Sequence, residues 1–380
     1  MSLQVDLIGP GELGEGERAL WRAWADADPA CASPFMRPEF AEIAGAVAPG
    51  AAIAVFSRGG KPVGFFPHQR RGRAIQPLAA PLNDYHGVIM ARGEASPSLE
   101  ALPGLLRGSS LAVNGWVRSD AAGEARTVLM ADLSNGWEAY DAERRTEFKK
   151  FFNDKDRARR SLGRDRGGEV WTETHIRNAD FLNELIGWKR EQYRRTRRHD
   201  VFACGWTADV LRVLMNEHRG DFGACLSVLW AGDRPAAMEF SLHAGDRYHF
   251  WFPSYAADAA RCSPGVLLSQ DTMRLLSPEG FRFFDFAFAG EFYKKYFCNR
   301  AETVTEAVIH AGAFRRFAEK ATDRIAVGPA ARLTGSLRRR WAVVEACETT
   351  TAGRLRGAAD AALAGLGRLR PPPQIQAKSA

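Results

Sequence analysis

The sequence predicts an α+β fold: mixed, mostly antiparallel sheets flanked by helices, followed by a basic helical extension. Three observations carry this. Residues 226–230, 236–242 and 248–252 are short runs rich in β-branched and aromatic residues, and Gly232-Asp233-Arg234 and Gly245-Asp246-Arg247 join them as tight turns, the pattern of an antiparallel meander. A similar hairpin lies far upstream. There Ala54-Val55-Phe56-Ser57-Arg58-Gly59-Gly60-Lys61-Pro62 overlays Ser227-Val228-Leu229-Trp230-Ala231-Gly232-Asp233-Arg234-Pro235, so the chain reads as two copies of one unit. Charge is also confined: residues 311–380 hold 13 Lys and Arg against 5 Asp and Glu, a balance of +8, which leaves −1 for residues 1–310 of a chain whose net charge is +7.

In chain order, residues 17–27 and 38–47 read as helices, the second capped by Ser33 or opened by Pro38. Residues 51–56 and 63–67 form the upstream hairpin. Pro81-Leu82-Asn83-Asp84-Tyr85-His86-Gly87 is a turn-rich segment, in its simplest reading an Asx-type loop. Residues 141–166 read as one charged helix with ten Lys and Arg, apolar only at Phe148, Phe151, Phe152 and Leu162. Residues 188–198 add Lys189, Arg190, Arg194, Arg195, Arg197 and Arg198 around Tyr193. Such faces are either simply solvated or grip phosphates, those of an acyl carrier or of a nucleotide-linked sugar, through bidentate guanidinium groups. After the meander, Ser263 is placed to cap a helix and Pro264 to open it, with Val266, Leu267, Met273, Leu275 and Leu276 on its buried side. Residues 281–288 form an apolar strand interrupted by Asp285, and residues 290–297 open the next helix. The predicted boundaries are 1–140 for a degenerate first unit, 141–310 for the catalytic unit, 311–370 for the basic extension and 371–380 for a disordered tail.

Size and composition exclude several classes. The chain has 380 residues, 46% of them hydrophobic, which suffices for two ordinary domains. No run approaches the roughly 20 apolar residues of a spanning helix, and residues 1–16 lack the basic start and apolar core of a leader. The six cysteines form no Cys-x-x-Cys pair and the eight histidines show no metal-like spacing, with His243 and His249 read as flanking a hairpin. A reduced, cytoplasmic protein without metal is expected. No helix-turn-helix or zinc module points to specific nucleic acid.

Three groups could serve acyl transfer. The helix start at Arg261, Ser263, Pro264, Gly265 and Val266 offers free N–H groups, a residue without a side chain and a full positive charge, the combination that holds a pyrophosphate. Glu239 stands in an apolar strand, where burial raises a carboxyl toward the range useful for deprotonating an ammonium, unless alternation turns it to water. Asp285 lies among Phe283, Phe284, Phe286 and Phe288, where a carboxylate must be paired or functional; Lys294 and Arg282 are its expected partners. No Ser or Cys lies in a nucleophile motif, which favours direct attack by an amine.

The meander, the cation-x-x-Gly helix start and the strand and helix that follow resemble the core of the GNAT acyltransferases. Ser263-Pro264-Gly265-x-Leu267-Leu268, Glu279-Gly280-x-x-x-x-Asp285-Phe286 and Gly290-Glu291-x-Tyr293-Lys294 are similar to the cellulose-biosynthesis (CelD/BcsL) type, which is related to the Fem aminoacyltransferases and includes acetyltransferases of holdfast polysaccharide. The resemblance covers roughly residues 147–297. It implies acetyl-CoA as co-substrate, an amino sugar of an exopolysaccharide or its precursor as acceptor, and Glu239, Asp285, Tyr293 and Lys294 as the catalytic set. Tyr293, or else Tyr296, would protonate the leaving thiolate, while Asp84, Tyr85 and Glu291 would hold the acceptor. Two alternatives stay open: a Fem-like aminoacyl transferase using aminoacyl-tRNA, and a regulatory protein binding c-di-GMP or an anionic membrane surface, peripheral at its inner face, through the basic C-terminal segment.

Overall fold

A computed structural model describes residues 2–118, 123–312 and 339–357. The first half runs β1 (Gln4–Ile8), α1 (Glu15–Ala27), α2 (Pro38–Gly45), β2 (Ala51–Arg58), β3 (Lys61–Arg71), β4 (Ala74–Pro77), β5 (Ile89–Met90), α3 (Leu102–Leu105), β6 (Ser110–Trp116) and β7 (Glu124–Asp132). Then come α4 (Trp137–Glu147), α5 (Lys149–Arg166), β8 (Val170–Glu173), α6 (Ala179–Thr196), α7 (Trp206–Asn216) and β9 (His218–Arg219). The meander is β10 (Phe222–Ala231), β11 (Arg234–Ala244) and β12 (Arg247–Tyr255), followed by α8 (Pro264–Leu276), β13 (Phe283–Phe288), α9 (Lys294–Phe297) and β14 (Arg300–His310). Every strand and hairpin expected in residues 226–288 is present; the three meander strands are extended by a few residues where the ladder continues past the apolar run, and the strand expected at 281–288 begins at Phe283.

The strands form one sheet in the order β1-β2-β3-β4-β6-β14-β7-β13-β12-β11-β10-β8, with β5 on β3 and β9 on β10. Most neighbours are antiparallel; β4 with β6 and β12 with β13 are parallel. Two sequence-distant strands close the middle of the sheet: β14 inserts between β6 and β7, and β7 pairs β13. A boundary at residue 140 therefore cuts the chain but not the sheet. The largest apolar cluster also crosses it, running from Trp21, Phe40 and Phe65 to Leu185, Leu211 and Phe240.

Two expectations are corrected. The charged stretch is two helices, because Phe148 takes φ −123° and ψ 41°, which breaks the helical ladder while Phe148 and Phe152 both reach the cluster around Phe286 and Phe297. Ser263 caps nothing with its side chain: its backbone is left-handed, φ 51° and ψ 48°, and its hydroxyl instead accepts from Lys155 Nζ at 3.0 Å. The basic extension and tail read at 311–370 and 371–380 fall mostly outside the described residues, where 339–347 and 351–357 are helical. No helix among the described residues is long and apolar enough to cross a membrane.

Candidate active site

The site lies where β12 and β13 part. They pair only over Arg247, Tyr248 and His249 against Phe283, Phe284 and Asp285. Beyond this both strands are irregular. In β12, Phe252 faces Phe240 and Phe250 faces Ser241, so Trp251 is an extra residue; in β13, the register with β7 shifts between Asp285 and Phe288, and Ala287 takes φ 56°. The sheet opens into a wedge, and residues 250–255 present to it a backbone edge with which no described strand pairs.

At the apex four side chains are linked by three contacts into a ring that the Asp84–Tyr85 peptide bond completes. The Tyr85 hydroxyl donates to Asp285 Oδ1 at 2.9 Å, and Asp285 Oδ1 also accepts the Ala287 N–H at 2.7 Å, which holds that left-handed residue in place. His249 Nδ1 lies 3.5 Å from Asp285 Oδ2, and His249 Nε2 lies 3.0 Å from Asp84 Oδ2. Asp285 and His249 are fully buried, whereas the Asp84 side chain is 22% exposed, so the ring opens to solvent at Asp84. Burial works against charge on the imidazole, but Asp285 and Asp84 outweigh it and raise the His249 pKa to about 9. Burial likewise opposes the Asp285 carboxylate, yet His249 wins and holds its pKa below the usual range. Burial, then Asp285, pushes the Tyr85 hydroxyl well above its ordinary pKa, so it remains a donor. With its pKa raised to about 9, His249 is an imidazolium at neutral pH and the buried Asp285 carboxylate is its counter-ion.

The loop that carries Asp84 and Tyr85 is built for this. Asn83 forms an Asx turn, accepting the Tyr85 N–H at 2.9 Å and donating to Leu78 O at 3.1 Å. Trp251 Nε1 donates to Leu82 O at 2.8 Å, and His86 pairs with Gly115 and Val117 through its backbone. Gly115 is required: a Cβ there would lie 1.8 Å from Asp84 O. The Asx turn expected here is present, and it carries Asp84 and Tyr85 to the ring.

On the opposite face of the sheet, α8 packs on β10 and β11. Its first turn leaves the Gly265 N–H without an acceptor among the described residues, and a Cβ at Gly265 would meet only Tyr255 Cδ1, at 3.8 Å. Lys155 and Arg261 flank this turn; Arg261 is two-thirds exposed and pairs with Asp165. These features fit a phosphate. Phe250 and Phe286 stand in the wedge on this side with ring centroids 4.6 Å apart, so an arm entering it must follow the free edge of β12. A surface cleft of about 360 Å³ lined by Asp132, Tyr140, Glu143 and Arg300 among others contains none of the site residues.

The remaining sequence candidates are dispersed. Asp285 pairs with neither Lys294 nor Arg282: Lys294 Nζ donates to Phe288 O at 2.7 Å and meets Glu291 at 2.7 Å, closing the turn before α9, while Arg282 pairs with Asp246 across a hairpin end. The i,i+3 spacing decides the first pairing, and the pairing of β12 with β13, which brings Arg282 beside Asp246, decides the second. Glu239 is buried as expected, and burial raises its pKa to about 8, but alternation along β11 puts it on the α8 face, out of phase with Leu242, which faces His249. Both its carboxyl oxygens are inaccessible and without a hydrogen-bond partner. Tyr293 packs against Phe286 and Phe297, with its pKa raised by burial and its hydroxyl making no hydrogen bond among the described residues. His249 escaped the sequence reading as a hairpin flank. The available signal was one ionisable residue in each of two apolar strands, His249 and Asp285. Among the described residues no cluster of three or more His, Cys, Asp or Glu is placed to hold a metal.

A wedge between two parallel strands, a helix N-terminus on one face and an acidic ring on the other define a site for joining two molecules across a sheet. Residues 149–295 match the family described as Acetyltransferase (GNAT) domain, and this domain classes the chain as an N-acetyltransferase. No curated protein matches the chain. Among solved structures it is similar to the C-terminal domain of an Agrobacterium fabrum protein assigned as a lysylphosphatidylglycerol synthetase, at 14% identity and TM-score 0.49 over 80% of this chain and 95% of that one. A tandem GNAT protein from the clavulanic acid biosynthesis pathway is similar at 10% identity and TM-score 0.48, over 82% of this chain and 99% of that one. FemX is similar at 10% identity and TM-score 0.46, over 80% and 97%.

Proposed function

We propose that the chain transfers the acetyl group of acetyl-CoA to the amine of an amino sugar, in a bacterial exopolysaccharide or its precursor, by direct attack. The observation that supports this best is the acidic ring of Asp84, His249, Asp285 and Tyr85 at the apex of the wedge, with the α8 N-terminus on the other face. The donor's pyrophosphate sits at the Gly265 N–H beside Lys155 and Arg261, and its arm pairs along the free edge of residues 250–255 as an added strand does. The acceptor enters from the side of Asp84. Its ammonium is drawn to the acidic ring and gives its proton to Asp84, the carboxylate of the ring that opens to solvent, while the His249 imidazolium offsets the charge of buried Asp285. The neutral amine attacks the thioester carbonyl, the C–N bond forms as the C–S bond breaks, Tyr293 protonates the departing thiolate, and the second proton lost by the nitrogen restores the Tyr293 hydroxyl. The likeness to holdfast-type enzymes supports a cell-surface polysaccharide, with the basic residues of 311–370 attracting an anionic membrane surface or c-di-GMP.

Titration calorimetry with acetyl-CoA, paired with transfer to glucosamine-type acceptors, tests this. Wild type binds and transfers; Gly265→Ala keeps its stability but binds at least tenfold more weakly; Asp84→Asn binds normally and fails to transfer. A wild-type chain that does not bind acetyl-CoA rules the proposal out.

A further inference from the structure

We propose that Cys204 and Cys347 are a dithiol switch, forming a reversible disulfide that fastens the C-terminal segment to the loop between α6 and α7. The two thiols converge on one acceptor: Cys204 Sγ donates to Val201 O at 3.3 Å and Cys347 Sγ to the same oxygen at 3.9 Å. The Thr207 hydroxyl lies 3.5 Å from Cys204 Sγ and donates to Val201 O at 2.5 Å, so both sulfurs and this hydroxyl gather at one carbonyl. The polar neighbours Cys347 and Thr207 draw the Cys204 pKa down to about 7 despite partial burial, while Cys347, beside Cys204 and buried, is held well above its ordinary value. A partly exposed nucleophilic thiol therefore lies against a buried resolving one.

The backbone around Cys347 is already seated. Arg71 of β3 donates to Ala346 O at 2.7 Å and to Pro49 O at 2.6 Å, and Trp206 Nε1 donates to Cys347 O at 3.0 Å. Val344 is fully buried. The segment thus rests across β3 of the first half and the α6–α7 loop of the second, held through its backbone by two hydrogen bonds, to Ala346 O and Cys347 O, that solvent and temperature can release. A disulfide makes that seat covalent.

The oxidant is a small-molecule disulfide of the glutathione class. The Cys204 thiolate attacks one of its sulfurs and expels one thiolate; Cys347 loses its proton and attacks the Cys204 sulfur, expelling the second. Two protein thiols become one disulfide, one small disulfide becomes two thiols, and the protons pass to the expelled thiolates.

The test uses the full chain, fully reduced and then equilibrated with oxidised glutathione. Peptide mapping is expected to recover a Cys204–Cys347 cross-link that dithiothreitol reverses, and tryptic cleavage at Arg354 and Arg356 slows severalfold in the oxidised protein. Cys204→Ser and Cys347→Ser each abolish both effects, whereas Cys31→Ser leaves them intact. A folded wild-type chain that forms no cross-link, keeps glutathione on Cys204 as a stable mixed disulfide, or links other cysteines instead overturns the proposal. Because the decisive measurement is made on wild type, a variant that fails to fold does not blunt it.

Discussion

Replacing Glu239 by Gln separates the catalytic base that the sequence suggests from the buried acid that the tertiary structure contains. Glu239 lies opposite Ser227 and Pro253 in the ladder, and both carboxyl oxygens are buried without a partner. Burial is the largest influence and lifts its pKa from 4.5 to about 8, with the Ser241 hydroxyl opposing. A displacement of that size corresponds to roughly 5 kcal/mol, an upper figure because water entering the site would soften it. The sign follows from proton uptake: between the unfolded and folded pKa values the native state holds a proton that the unfolded chain has released. The contribution to stability is therefore fully present below pH 4.5 and is lost as pH rises through about 8. Gln cannot ionise. Urea denaturation of both proteins from pH 4.5 to above 8 should show the variant gaining on wild type steadily, from near parity to about 5 kcal/mol. Acetyl transfer by the variant should remain within a fewfold of wild type. Parallel stability curves would mean that the carboxyl is hydrated or paired. A collapse of transfer, with loss of a pH limb near 8, would return the role of base to Glu239.

Three further outcomes follow from the ring. Gly115→Ala drives the Asp84 loop off β6, since the new Cβ would meet a backbone oxygen at 1.8 Å; thermal unfolding should report a loss of about 1–3 kcal/mol and transfer should fall at least tenfold, with acetyl-CoA affinity unchanged. Tyr85→Phe removes a hydrogen bond to the buried Asp285 carboxylate, so denaturation should show about 1.5–3 kcal/mol lost, and the pH profile of transfer should shift as Asp285 binds its proton more readily. With His249 held at a pKa of about 9, transfer should be flat through neutrality and fall as pH passes 9, because loss of the imidazolium leaves two adjacent uncompensated carboxylates; in Asp285→Asn that fall should move to lower pH.

Much of the local architecture was legible in the sequence because it depends on neighbours along the chain. Alternating apolar residues and Gly-centred turns specify β10 to β12, and Pro264 with the apolar spacing behind it specifies α8. Even the burial of Glu239 and Asp285 could be read from the apolar runs around them. What the sequence could not supply was which face each side chain takes relative to a partner far away. The two bulges beside the wedge shift register by single residues, and in a structure of period two such a shift decides whether a carboxylate meets α8 or the first half of the chain. His249 is the clearest instance. Within its strand it is one polar residue between aromatics, and it becomes an imidazolium only because β13 brings Asp285 to one nitrogen and an Asx turn from the first half brings Asp84 to the other. Composition and periodicity thus determined the elements and the burial of single charges. The pairing of those charges was decided by tertiary contact, since a buried ion is stabilised by whatever counter-charge the packed chain places within a few ångströms, and sequence distance does not enter that energy.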